Sequence, residues 1–316
     1  MNKTTSILII LTAFLLAGCS KNDDLEMDNI KMSTVLSIMV KDGKAGMTTL
    51  VNDNYNVTTE YLIDNTKTDA QALQAFMPKG SFYRTTIDNY YLASTLYKNN
   101  EGTIVEYKFP RIYSFEPGNQ FIYFKNGERF AMDTLALGYF HSVDAAENEV
   151  FAGFFGTREI YINGSYLLPA KAFYREGTGK ITVLPMPDKN LNFNGVSCVH
   201  RSGNNIYVGG LMDFPMYWKN KEIVQLNEKY GEVNQIFTVG NDVYAVGFYN
   251  KANSKTTGHT ACYWKNGLLT ELEDNAVGYS IFIDGNDIYV GGAVGRFDAE
   301  YKACYWKNGK RVLLPV

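Results

Sequence analysis

A chain of 316 residues with 46% hydrophobic and 20% charged content is long enough to bury a sizeable core and too balanced for intrinsic disorder. Its formal charge of −3 gives no basic excess that would argue for nucleic acid, and no nucleic-acid partner is expected. Tyr (23) and Phe (19) are abundant and Pro (8) is scarce, a composition that favours strands over linker.

Residues 1–18 read as an export signal. Lys3 supplies a positive start, Ile7 to Leu16 an apolar run too short to span a bilayer, and Leu16-Ala17-Gly18-Cys19 a cleavage site. Those four residues resemble a lipobox, where bacterial lipoproteins are cut and their cysteine is acylated. The resemblance implies a membrane anchor on Cys19 and a bacterial outer-membrane location; the alternative is an ordinary signal peptide with a coincidental cysteine. Residues 19–33 carry Asp23, Asp24, Glu26 and Asp28, with little to bury, and read as a flexible acidic tether. The stretch resembles the acidic export signal of surface-displayed lipoproteins in Bacteroidetes-type bacteria, which implies outward display; a periplasm-facing tether is the alternative.

The domain itself spans 34–316. Thr34–Val40, Met47–Val51 and Asn56–Ile63 are rich in β-branched and aromatic residues and are separated by Asp42-Gly43 and Asn52-Asp53-Asn54, so they read as strands and turns. Asp69 to Phe76 reads as a short helical turn. Residues 34–79 are therefore a divergent blade or an N-terminal extension. From 80 to 316 one unit repeats five times. Its first landmark is an aromatic after a polar turn, at Tyr91, Phe151, Tyr207, Tyr244 and Tyr289. Its second is an aromatic before a turn, at Phe124, Tyr174, Trp218, Trp264 and Trp306. The period, roughly 42–50 residues, is that of four-stranded propeller blades.

The last unit shows the strands best: Ser280–Ile283, Ile288–Gly291, Ala303–Trp306 and Arg311–Leu314. Asn308-Gly309 joins the last two as a two-residue hairpin, a signal repeated at Asn126-Gly127 and Asn266-Gly267. Asn220-Lys221 departs from it, and a longer turn is expected there because positive φ strains Lys. Two stretches compete for the third strand of the second unit: Ile160–Gly164 and Phe173–Gly177.

The string Ala303-Cys304-Tyr305-Trp306-Lys307-Asn308-Gly309, preceded by Asn286-Asp287-Ile288-Tyr289, resembles a repeat of secreted bacterial proteins and is similar to HAF extracellular repeats. It is more distantly similar to Kelch, through Gly209-Gly210 and Gly291-Gly292. The resemblance covers residues 80–316, implies an all-β propeller, and carries no catalytic residues. Six blades are favoured over five, because the strands of 34–79 would otherwise lack a sheet to join.

Cys198, Cys262 and Cys304 read as small buried hydrophobes, since equivalent positions in neighbouring repeats are too far apart for a disulfide. Trp218, Trp264 and Trp306 read as core rather than as a sugar-stacking series. No metal or cofactor motif is present; Asp53–Asn56 lacks the Gly and Glu of a calcium loop. Asp88, Asp144 and Asp284 read as turn residues, and His141, His200 and His259 have no partner at a known motif spacing. Variable connections on a uniform scaffold are the expected place for binding. They contain Asp213 and Phe214; Tyr249, Lys251, Lys255 and His259; and Arg296, Phe297, Asp298 and Tyr301. The expectation is a non-catalytic scaffold for a glycan or an envelope protein. The alternatives are a carbohydrate-active propeller enzyme and a structural subunit of an envelope complex.

Overall fold

The computed structural model describes residues 31–315, apart from 54–55, 86–90, 111–119, 134–136, 147, 157–160, 163–164, 167–170, 188–194, 253–257 and 296–300. It is a six-bladed propeller. Blade 1 comprises β1 (Lys31–Lys41), β2 (Lys44–Asp53), β3 (Asn56–Ile63) and β4 (Thr66–Thr68), so residues 34–79 are a blade and not an extension. Its first strand begins at Lys31, inside the stretch expected as tether, and Ser33 there is buried and accepts a hydrogen bond from Ala303 N at 2.9 Å.

The helix α1 (Ala70–Phe76) follows, capped by Asp69, whose Oδ1 accepts from Ala72 N at 2.7 Å. Blade 2 contains β5 (Ser81–Thr85), β6 (Tyr91–Lys98), β7 (Ile104–Pro110), β8 (Gln120–Lys125) and β9 (Glu128–Asp133). Blade 3 is built from β10 (Leu137–Asp144), β11 (Val150–Gly156), β14 (Lys171–Glu176) and β15 (Ile181–Val183). A separate hairpin of β12 (Tyr161–Ile162) and β13 (Ser165–Tyr166) interrupts it, which makes Ile160–Gly164 the insertion and Phe173–Gly177 the blade strand.

Blade 4 holds β16 (Gly195–Ser202), β17 (Asn205–Met212), β18 (Met216–Lys219) and β19 (Glu222–Gln225). Blade 5 holds β20 (Gly231–Val239), β21 (Asp242–Asn250), β22 (His259–Lys265) and β23 (Leu268–Asp274), and blade 6 holds β24 (Ala276–Asp284), β25 (Asp287–Gly295), β26 (Tyr301–Lys307) and β27 (Lys310–Leu313). Leu211 and Met212 of β17 also pair with Glu232 and Gly231, which joins blades 4 and 5 at one end.

Register corrects two landmarks. Tyr107 pairs with Lys125 as Tyr244 does with Lys265 and Tyr289 with Lys307, and each Lys ammonium lies 5.0–6.0 Å from its partner's ring. Tyr107, not Tyr91, is therefore the first landmark of blade 2. Tyr91 opens the preceding strand, because β5 is an extra strand that shifts the count. In blade 3 Phe151 pairs with Arg175 as Val290 pairs with Trp306. Val150 and Arg175 thus hold the landmark positions, displaced by one from Phe151 and Tyr174.

The turn Asn220-Lys221 is no longer than its relatives, since Lys219 pairs with Glu222. Only Asn220 takes a positive φ (57°), so Lys221 escapes the strain that would have demanded a longer loop. Asn126, Asn220, Asn266 and Asn308 share this conformation. Each also accepts on Oδ1 from a backbone N–H of the neighbouring strand, at 2.9, 2.9, 2.8 and 2.8 Å. That second bond is what selects Asn there.

Blades pack through alternating faces of the repeated string. Trp218, Trp264 and Trp306 are at most 1% exposed. Trp218 Nε1 donates to Pro185 O of the preceding blade at 2.7 Å, and Trp306 Nε1 to Glu273 at 3.1 Å. Cys198, Cys262 and Cys304 are free and buried. The paired glycines have a steric reason. A Cβ on Gly292 would lie 2.0 Å from Val277 O of the inner strand, and one on Gly291 would lie 2.5 Å from Val35 of the next blade.

Each inner strand is bulged at an equivalent position, with Leu36, Leu92, His141, Ser197, Asn234 and Tyr279 as the extra residues. A bulge leaves a residue out of the ladder. The next residue reaches around the axis to a backbone N–H of the following inner strand. Val199 N donates to Ser142 Oγ (3.2 Å), Ile236 N to Cys198, Ile281 N to Gln235 Oε1 (2.9 Å), Ile38 N to Ser280 Oγ (2.8 Å) and Arg84 N to Ser37 Oγ (2.9 Å). Blade 2 has Ala93 at this position, and β5 occupies the gap. Among the described residues no strand is exchanged between the first and last blades; the ring closes through β1 against β24, β25 and β26. Replacing Ser280 by Ala strands the Ile38 N–H at that closure, and we expect a loss of about 1–3 kcal/mol in urea denaturation.

Candidate functional site

The six blades divide the connections between two faces. On one face lie the two-residue turns Asp42-Gly43, Gly203-Asn204, Gly240-Asn241 and Gly285-Asn286 and the Asn turns, with longer turns in blades 2 and 3 at 99–103, 145–149 and 177–180. On the other the second strand of each blade ends and the third begins, and the number of residues between them differs from blade to blade, from two (54–55) to fourteen (157–170). The bulged strands line an axial channel with two polar layers between these faces.

Toward the turn face, Asp144 ends β10. Its carboxylate accepts from Ala146 N (2.9 Å), Arg201 N (2.8 Å), His200 Nδ1 (2.9 Å) and the Tyr97 hydroxyl. Burial pushes the Asp144 carboxyl up, but the His200 contact and the two backbone donors outweigh it and hold it below the usual range. An ionised Asp144 makes Nδ1 a donor, and His200 Nε2 shares a hydrogen bond with Thr238 Oγ1 at 2.9 Å. Burial and the Asp144 charge push the Tyr97 hydroxyl well up.

The order Asp-His-Thr is that of a nucleophile-activating relay. Here its members come from successive blades, and the His200 ring is held by Tyr207 and Phe237 with centroids at 6.3 and 6.1 Å. The arrangement works as a clamp across blades 2 to 5. Sequence spacing hid it, because Asp144 and His200 are brought together by blade stacking. Above it is a cavity of about 40 Å³ whose walls include Phe82, Tyr97, Phe237 and Phe282 and whose lining includes Arg84. That is room for a few waters.

Toward the loop-rich face sits Glu232, 3% exposed, accepting from Ser197 Oγ at 2.7 Å. Burial raises its carboxyl to about 8, against the opposing pull of Ser197 and of the Arg84 charge. Its neighbours Tyr230 and Tyr279 are also raised by burial, and Asp213 acts on Tyr230. Burial and the Arg84 charge lower His141 to about 4. Glu232 escaped the sequence reading, since a lone Glu after Gly carries no motif.

The expected binding residues are only partly exposed. Lys251 is exposed and pairs with Glu271 and Asp274 at 2.8 Å each. Tyr249 is 5% exposed and donates its hydroxyl to Glu271. His259 is buried with its ring 4.2 Å from Phe248, Tyr301 packs with Met32 and Ala293, and Phe214 packs against the core between blades 3 and 4. Cys19, Asp88, Lys255, Arg296, Phe297 and Asp298 lie outside the described residues. Among the described residues no group of His, Cys, Asp and Glu is placed to hold a metal ion.

No protein-family model matches the chain, and no curated protein does. Solved structures similar to it include the β-propeller domain of the Trilobed protease from Pyrococcus furiosus, which has an open velcro topology. Identity is 13% over 91% of this chain and 98% of that one, with a TM-score of 0.42. The acylaminoacyl peptidase of Pyrococcus horikoshii is 12% identical over 90% of this chain and 53% of its own, with a TM-score of 0.46. A prolyl endopeptidase is 10% identical over 91% and 49%, with a TM-score of 0.45. The chain spans about half the length of these two peptidases, and no residue role passes from any of the three.

Glu232 has a pH signature. The folded chain keeps its proton up to about 8, whereas the unfolded chain releases it near 4.5. Its contribution to stability is therefore full below pH 4.5 and is lost as pH rises to 8. Glu232→Gln removes that loss. Relative to wild type, the variant should gain on the order of a few kcal/mol between pH 5 and 8.5, measured by urea denaturation at both pH values.

Proposed function

We propose that the protein is an outer-membrane lipoprotein, acylated on Cys19 and displayed at the cell surface, whose propeller binds a ligand or partner without turning it over. The observation that carries this reading is the contrast in length: nine of the twelve turns on one face are of two residues, whereas the six connections between second and third strands all differ, from two to fourteen residues. A rigid scaffold with variation confined to one rim is suited to binding. An exposed Lys251 on one connection and half-buried Asp213 and Phe214 on another offer the mixture of hydrogen-bonding and aromatic groups that suits a glycan. β1 enters from the loop-rich side, so a lipid on Cys19 holds that face within about 40 Å of the bilayer, the reach of the intervening residues fully extended.

A catalytic reading has one observation in its favour. Glu232 is a carboxyl kept protonated at neutral pH, and Asp213 lies near the same Tyr230. A protonated acid beside a second carboxylate is what glycoside hydrolysis requires.

A glycan array probed with the purified protein, with hydrolysis followed on the same glycans, separates the two. Binding without turnover is expected, abolished when 213–215 is replaced by a Gly-Ser linker and retained in Asn266→Gly. Turnover lost in Glu232→Gln would establish the catalytic reading instead. Absence of binding to any glycan would favour a structural role in an envelope complex.

A further inference from the structure

Three hairpins among the described residues close on Asn-Gly, and their turns are near-copies of one another. Asn126, Asn266 and Asn308 take φ of 50°, 51° and 50°, and Gly127, Gly267 and Gly309 take 82°, 84° and 78°. Each Asn Oδ1 accepts from a backbone N–H of the neighbouring strand, that of Glu106, Val243 or Ile288, at 2.9, 2.8 and 2.8 Å. All three pairs are exposed, and a Cβ on any of the three glycines would meet nothing within 4 Å.

The side-chain amide nitrogens are where they differ. Asn266 Nδ2 donates to Asp242 Oδ1 and Asn308 Nδ2 to Asp287 Oδ1, each at 2.7 Å. Lys265 lies 2.8 Å from the Asp242 carboxylate and Lys307 2.9 Å from that of Asp287. Those lysines, and then the Asn amides, hold both carboxyls below the usual range. In both turns the acid directly precedes the residue whose N–H the Asn accepts. In blade 2 that place belongs to Val105, which has no acceptor to offer. Asn126 thus has its carbonyl held as the others do, while its Nδ2 has no protein acceptor among the described residues.

The difference bears on a reaction open to every Asn-Gly pair. The Gly backbone nitrogen attacks the Asn Cγ; a C–N bond forms and the Cγ–Nδ2 bond breaks. The proton of the attacking N–H goes to the departing nitrogen, which leaves as ammonia, and the product is a cyclic succinimide. Water then opens the ring at either carbonyl, giving Asp or isoaspartate. Gly favours the attack because no side chain hinders its nitrogen, an ease that Lys221 after Asn220 lacks. The Oδ1 bond polarises Cγ alike in the three turns. A carboxylate bound to Nδ2 fixes the amide plane, and that charge-assisted bond must be given up as the nitrogen leaves.

We infer that Asn126-Gly127 is the deamidation site among these turns, converting spontaneously to Asp and isoaspartate while Asp242 and Asp287 protect Asn266 and Asn308. The only co-reactant is water. Isoaspartate routes the main chain through an extra carbon, which a two-residue turn pinned by the pairing of Lys125 with Glu128 cannot absorb. Conversion therefore loosens the β8–β9 edge of blade 2.

The purified protein is incubated at mildly alkaline pH, digested at acidic pH to avoid further conversion, and mapped by mass spectrometry with isoaspartate resolved from Asp. Conversion at Asn126 should run roughly tenfold faster than at Asn266 or Asn308, the factor expected of one charge-assisted hydrogen bond. Asp242→Ala should bring Asn266 up toward the rate of Asn126 and leave Asn308 unchanged. Circular dichroism checks that this variant is folded, and the comparison of the three positions in the wild-type protein needs no variant. Equal rates at the three positions in the wild-type protein, or a folded Asp242→Ala in which Asn266 stays as slow as Asn308, would overturn the inference.

Discussion

The molecule depends on a repeated one-residue bulge in its innermost strands. Each bulge removes a residue from the ladder, and in blades 1, 4, 5 and 6 a side chain of the preceding blade supplies an acceptor to the backbone N–H just beyond it. Ser142, Cys198, Gln235 and Ser280 all do this from one position of the unit. The unit tolerates a hydroxyl, a thiol or an amide there, because all can accept. This ring links blades whose strands are otherwise paired only within themselves, except where β17 meets β20. It also allows the circle to close without strand exchange, since Ile38 and Ala303 receive their partners across the join.

Blade 2 breaks the pattern and gains from it. Ala93 cannot accept a hydrogen bond, so the sequence between blades 1 and 2 turns back through α1 and β5 and places Arg84 in the ring's gap. The inserted strand converts a symmetric channel into a polar, nearly filled axis. Asp144, His200 and Thr238 clamp one end of it, and Glu232 with Ser197 occupies the other. Burial sets the protonation of both ends in opposite ways. Asp144 has four donors and stays ionised; Glu232 has one and does not.

Much of the architecture was legible in the sequence because it is local and repeated. The Asn-Gly turns, the buried Trp and Cys, the strands of 34–63 and the short helix after Asp69 all follow from patterns within a dozen residues. The landmarks failed where an insertion shifted register. Tyr91 and Tyr107 are both aromatics after polar turns, and only pairing with Lys125 tells them apart. The axial groups were hidden for a different reason. His200 meets Asp144 and Ser197 meets Glu232 only because successive inner strands converge on the axis, and no spacing within one blade encodes that. Tyr249, His259 and Tyr301 look like binding residues in a linear sequence, yet they are packed inside the rim.

Amide hydrogen exchange at Ile38 tests the closure most directly. If the side-chain ring seals the circle, the Ile38 N–H exchanges only through global unfolding, with the same opening free energy as Ile236 and Ile281 in the middle of the ring. An Ile38 amide that exchanges well below that limit while Ile281 remains protected would show that blades 1 and 6 part independently, and the account of closure would be wrong.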